Sequence, residues 1–204
     1  MREVGAALRI VGLALRDTWQ ELWTILIVNL LFLLGVVLII PGPPAILALF
    51  YYGNNIAHGE DATERDFLRA IREYWGAAWR WGLMNLIVIG VLTGDYYLIG
   101  KLMNSASYRA LLQGMYITLL GAWLMLQLFT LPFLFEQQQP RVIQAVKNAA
   151  VFIRKNLILV IMLTLLLGLS LVAGILAFML TFALGGAFLA FASNRAVIND
   201  LASS

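Results

Sequence analysis

The stretch "ALRDTWQELWTILIVNLL", residues 14–31, is written a second time as "AIREYWGAAWRWGLMNLI" at residues 70–87, and the two align without a gap. Each copy sets an Arg and an acid (Arg16 and Asp17; Arg72 and Glu73) ahead of two Trp four apart, then an Asn-Leu pair (Asn29; Asn85) followed by Leu or Ile. A cationic amphipathic segment that passes through tryptophans into an apolar run is how a helix lying at a membrane surface leads into one that crosses it. The indole ring is favoured in the headgroup layer, and the run behind it belongs in hydrocarbon.

Composition agrees. The chain is 62% hydrophobic and 12% charged, where soluble domains carry roughly 25% charged residues. Apolar runs at 22–40, 82–99, 110–135 and 157–192 approach or exceed the roughly 20 helical residues that a hydrocarbon core requires. The last is long enough to fold back on itself. No small-residue cleavage pattern follows the N-terminal segment, so the first helix is expected to be retained and no signal peptide to be present. The absence of cysteine excludes disulfides and thiol catalysis. No Lys/Arg cluster of the nucleic-acid-binding kind occurs, so no nucleic-acid partner is expected.

Three polar segments with helical period precede apolar runs. In 61–75, Phe67, Leu68, Ile71, Tyr74 and Trp75 share a face opposite Arg65, Arg69 and Arg72, with Asp61 placed to cap the start. From Pro140, the residues Ile143, Val146, Ala150 and Ile153 share a face, with Arg141, Gln144, Lys147 and Lys155 elsewhere. Residues 5–16 form a weaker example. The third segment, "AVKNAAVFIRKNLIL" at 145–159, repeats parts of the phrase, but Lys147 to Asn156 is 9 positions where Arg16 to Asn29 and Arg72 to Asn85 are each 13. That contraction is about one helical turn. The pattern predicts three units, about 5–58, 61–135 and 140–194, each an interfacial basic helix, a span, a turn and a returning span. Independent convergence on Arg, Trp and Leu at membrane entries is the other explanation of the likeness.

The predicted fold is therefore an all-α polytopic membrane protein, one membrane domain over 1–204 with about six spans. In that arrangement twelve of the 14 Lys and Arg fall on one side and only Lys101 and Arg109 on the other. The bias predicts that both termini and the three interfacial helices are cytoplasmic. Arg16, Arg72 and Lys147 would then meet anionic membrane lipids or a partner's cytoplasmic face.

The return "PGPPAILALFYYGNNIAHG" at 41–59 offers only 15 residues from Pro44 to His58, about 22 Å of helix against a core of about 30 Å. Either the turn at Pro41, Gly42, Pro43 and Pro44 is recessed into the membrane or the segment is re-entrant. A recessed turn is expected to pack against protein, because lipid offers its backbone no partners.

Catalytic signatures are absent: no HExxH, P-loop or GxSxG occurs and no paired intramembrane carboxylate. No enzyme, cofactor or metal is expected, and the single histidine, His58, reads as a solvated helix end. Intramembrane amides remain. Asn29 and Asn85, with Gln113 and Gln127, can hydrogen-bond between helices. Alternatively Asn29, Asn54, Asn55 and Asn85 converge with Tyr51 and Tyr52 on a polar ligand. "GVLTG" at 90–94 is a GxxxG pattern that permits close helix contact.

The stretches "NLLFLLGVVLIIPGPPAILALFYYGNNIAHGE" (29–60) and "LPFLFEQQQPRVIQAVKNAA" (131–150), with the aromatic and basic segment between them, make the chain similar to the YesL-like family of bacterial integral membrane proteins. The resemblance rests on Asn29, Gly42-Pro43, Phe67, Leu131-Pro132-Phe133 and Asn148-Ala149, and covers about 130 of the 204 residues. It implies a bacterial inner membrane and an association with carbohydrate utilisation and sugar-type ABC importers, without implying a reaction. The expected function is a non-enzymatic accessory or assembly partner of a transport system for carbohydrate uptake. The alternative is a small facilitative transporter or channel-like carrier for an uncharged polar solute.

Overall fold

A computed structural model describes residues 2–176, and every regular element among them is an α-helix. In chain order these are α1 (Arg2–Gln20), α2 (Leu22–Val37), α3 (Gly42–Ala57), α4 (Glu64–Glu73), α5 (Trp75–Leu102), α6 (Ala106–Phe135) and α7 (Val142–Lys155), followed by α8 (Leu157–Leu176). Helices α5, α6 and α8 are long and apolar enough to cross a membrane, and α1 with α2 makes a fourth span if that pair, bent by 93°, is taken as one. The returning half of the 157–192 run lies outside the described residues.

The doubled phrase is where helices break. Glu21 separates α1 from α2, Tyr74 separates α4 from α5, and Asn156 separates α7 from α8. Asn29 and Asn85 then sit inside apolar helices, whereas Asn156 is the C-cap of α7, its amide donating to the Phe152 carbonyl at 3.1 Å. The third copy of the phrase thus uses its asparagine to end a helix. The described residues divide into two compact units, one of Gly12–Leu157 and one of residues 2–11 with 158–176. In the second, α8 has a mean hydropathy of 2.8.

In the larger unit α3 is central, packing against α2, α4, α5 and α6. Its Ala45, Ala48 and Tyr52 are buried with Val28 of α2 and with Phe67 and Ala70 of α4. Its Leu47 is buried with Ala77, Ala78, Leu131, Leu134, Val142 and Ala145 from α5, α6 and α7. Small residues on α3 let the neighbouring backbones come close, which in a lipid setting is the main source of helix adhesion.

Two amphipathic readings change. The apolar face of α4 is covered by protein at Phe67, which is fully buried, while Leu68 and Trp75 stay exposed. Its N-cap is Thr63 in place of Asp61: the Thr63 N–H and hydroxyl both donate to the Asp66 carboxylate, at 3.0 and 2.7 Å, the acidic half of a capping box. On α7 the inward stripe is Val142, Ala145 and Ala149, while Ile143 is 71% exposed. Large aliphatics mark the lipid side of a membrane helix as readily as its protein side, so their period predicted the wrong face. The small alanines face α6, and Phe152 reaches Phe129 and Phe133 there.

The α2–α3 hairpin has 16 residues in each arm, about 24 Å against a hydrocarbon core of about 30 Å. Gly42 and Pro44 are buried, and a Cβ on Gly35 would come within 2.7 Å of Ala45, as one on Gly82 of α5 would come within 2.9 Å of the Pro43 ring. Protein therefore closes around one side of the turn. The tip residues Leu38, Ile39 and Ile40 are exposed. Their backbone N–H groups are nonetheless satisfied: Leu38, Ile39, Ile40, Gly42 and Ala45 donate within the hairpin, and Pro41, Pro43 and Pro44 have no N–H to satisfy. Closing the turn forces Ile39 to φ 61°, a left-handed conformation that costs a β-branched residue about 1–2 kcal/mol. The GxxxG pair is not a contact, since a Cβ on Gly90 or Gly94 would meet nothing within 4 Å.

Candidate binding pocket

A pocket of about 520 Å³ lies within the larger unit, between the end of α1, the first half of α2 and the last half of α3. Its polar lining is Asp17, Thr18, Asn29, Tyr52 and Asn54, set among Ile25, Val28, Leu49, Phe50 and Pro132. The 93° bend after Gln20 is what brings Asp17 and Thr18 to the mouth of a space otherwise walled by the hairpin. Pro132, inside α6, lacks the N–H that would bond the Leu128 carbonyl, so the helix is locally loosened where it meets the pocket.

Tyr52 is 3% exposed and its hydroxyl has no hydrogen-bond partner. A buried phenol left in that state costs about 1–3 kcal/mol relative to a paired one. Asn54 is tied differently, donating to Glu136 Oε1 at 2.8 Å. His58 Nε2 meets the same oxygen at 2.8 Å, so the C-terminal ends of α3 and α6 are held together by one carboxylate. The hydrogen bond to Glu136, then its charge, raises the His58 pKa above its ordinary 6.5. The bonds from Asn54 and then His58 hold the Glu136 pKa below its ordinary 4.5.

Of the residues singled out in the sequence, Asn29, Tyr52 and Asn54 share this pocket. Asn85 lies elsewhere, in a bonded group between α5 and α6. Its amide donates to the Trp81 carbonyl at 2.9 Å and to Gln127 Oε1 at 3.4 Å, and its Oδ1 accepts from the Trp123 indole at 2.9 Å. The Trp81 indole donates to Gln127 Oε1 at 2.9 Å. Asn85 is 9% exposed and Gln127 7%, so this group joins two helices and offers no opening. Tyr51 packs edge-on against Phe135 and near Tyr74. Asn55 does not line the pocket; its carbonyl accepts from His58 and Glu60. The turn residues Pro41, Gly42, Pro43 and Pro44 lie at the far end of the hairpin, away from the lining. Arg16, Arg72 and Lys147 are exposed, and Arg16 approaches Asp17 at 3.5 Å.

Asp17, Thr18 and Phe50 carry no sequence signal for a pocket, because their meeting depends on the bend. The Glu136 tether links residues 78 and 82 positions apart, beyond any local pattern. Thr63 was recoverable, since Thr-x-x-Asp is a capping signature. Among the described residues no group of His, Cys, Asp or Glu is placed to hold a metal ion. Compared with known proteins, the chain matches no family model, no curated protein and no solved structure.

Proposed function

We propose that the chain is a non-enzymatic multi-pass membrane protein that serves as an accessory or assembly partner of a transport system, holding a small ligand in the pocket beside α3. The observation that carries this reading is that the pocket lining reaches only part of the way along the hairpin. Its lining stops at Asn29 and Leu49, and beyond them the hairpin is packed so tightly that Gly35 has no room for a methyl group. A site whose lining goes no further suits binding and relay; a carrier needs a route to the other side. The engagement of Asn85 with Trp123 and Gln127 removes it from a solute path.

The resemblance to the YesL-like family adds a context, carbohydrate uptake through a sugar-type ABC importer in a bacterial inner membrane. The Lys/Arg bias supports six spans in three units, with both termini and the exposed Arg16, Arg72 and Lys147 on the cytoplasmic side. Cysteine labelling tests the topology: Ser107→Cys should label from outside intact cells, and Glu60→Cys should not. The function is tested by purification in mild detergent and by reconstitution. The expected result is co-purification with importer subunits and no flux of sugar, polyol or small amide into proteoliposomes. Gradient-independent uptake by the chain alone would install the facilitative carrier in its place. An importer that works normally without the protein would remove the accessory role.

A further inference from the structure

We infer that the pocket takes an ammonium group carried on a small apolar body, an inference that rests on reading the pocket as a ligand site. Asp17 is the one ionisable side chain in its lining besides the phenol of Tyr52, and none of the described Lys or Arg lines it. In a protein with a net charge of +3 this is a local reversal of sign. The neighbourhood extends it: Glu136 is bonded to Asn54 at the rim. An anion entering here would meet a carboxylate with only the exposed Arg16 beside it.

A neutral sugar fits poorly for another reason. Its ring of hydroxyls needs many partners, because each one desolvated and left unpaired costs binding energy. Yet Ile25, Val28, Leu49, Ile56 and Pro132 make most of the wall apolar. An alkylammonium matches both features. Its head faces Asp17 and the ring of Phe50, an aromatic of the kind that attracts cations, and its body fills the apolar wall. A volume of about 520 Å³ lies within the usual range for small-molecule sites. The same chemistry arises from a free amine or from the headgroup of an aminophospholipid.

The test uses the full chain in non-ionic maltoside micelles. Titration calorimetry compares choline with 3,3-dimethyl-1-butanol, its uncharged isostere, and native mass spectrometry compares retention of phosphatidylethanolamine with that of phosphatidylglycerol. Choline binding at least tenfold tighter than the isostere, with the ratio falling toward one in Asp17→Asn, is the result expected for a free ammonium ligand. Selective retention of phosphatidylethanolamine, reduced by Asp17→Asn, gives the same conclusion with the bilayer as the source. Equal binding of choline and its isostere, with no preference between the two lipids, overturns the ammonium inference and leaves the pocket reading standing. No binding in any arm overturns both. The wild-type comparisons decide the matter even if the variant fails to fold.

Discussion

Asn29 and Asn85 hold the same place in a repeated phrase, and the two hairpins that contain them use it in opposite ways. Between α5 and α6, Asn85 finds Gln127 and the indoles of Trp81 and Trp123 within bonding distance and is buried among them. Between α2 and α3, Asn29 is exposed and lines the pocket in company with Asn54 of α3, whose amide is bonded instead to Glu136. An amide in a membrane helix has no fixed role of its own. What stands across from it decides whether it joins helices or waits for a ligand.

The widest separation between the hairpins should come from replacing each asparagine in turn. Asn85→Leu leaves the Trp123 indole N–H without its acceptor and should lower stability by about 1–3 kcal/mol, read as a drop in the thermal midpoint of the purified protein. Asn29→Leu, with no bond to lose, should stay within about 0.5 kcal/mol of wild type while weakening ligand binding. Equal losses of stability would erase the contrast. Gly82→Leu then asks whether α5 truly closes on the turn of the other hairpin. Forcing a side chain against the Pro43 ring should cost about 1–3 kcal/mol, whereas Gly90→Ala, in open space, should be neutral or stabilising by up to about 1 kcal/mol. Ile39→Gly should raise stability by about 1 kcal/mol by relieving the left-handed backbone, an effect without counterpart in the α5–α6 connection.

The smallest expected effect is that of pH on the tether between the hairpins. His58 has a raised pKa, so its contribution is fully present below 6.5 and fades as pH rises through the folded value. Glu136 has a lowered pKa, so its contribution is present above 4.5 and is lost as pH falls through its folded value. The thermal midpoint should therefore be most favoured between those limits, and His58→Ala should flatten the decline on the alkaline side. Both groups are half exposed, which keeps the change small.

This contrast also shows how far the residues could be read unaided. Apolar runs, Trp-flanked entries and the Gly-Pro turn announced helices and a membrane, because each depends on the chain's own neighbours and on the solvent around it. The bonded partner of Asn85 lies 42 positions away, and the pocket needs a right-angled bend at Glu21. The doubled phrase contained both breaks but gave no sign of how sharply either would turn. On α7 the error came from the solvent itself, since lipid accepts Ile143 as readily as a protein core does.

The α2–α3 tip has a consequence for how the protein enters its membrane. Carrying a peptide N–H into hydrocarbon without a partner costs several kcal/mol, and most loops pass through the bilayer at that cost or under the protection of a translocation machine. From Leu38 to Ala45 every such donor is already bonded or has been removed by proline. Its side chains at the apex are Leu38, Ile39 and Ile40, among the most lipid-soluble available. The hairpin is therefore a greased wedge, a preformed pair of helices with arms of about 24 Å whose apex presents no free N–H to the hydrocarbon.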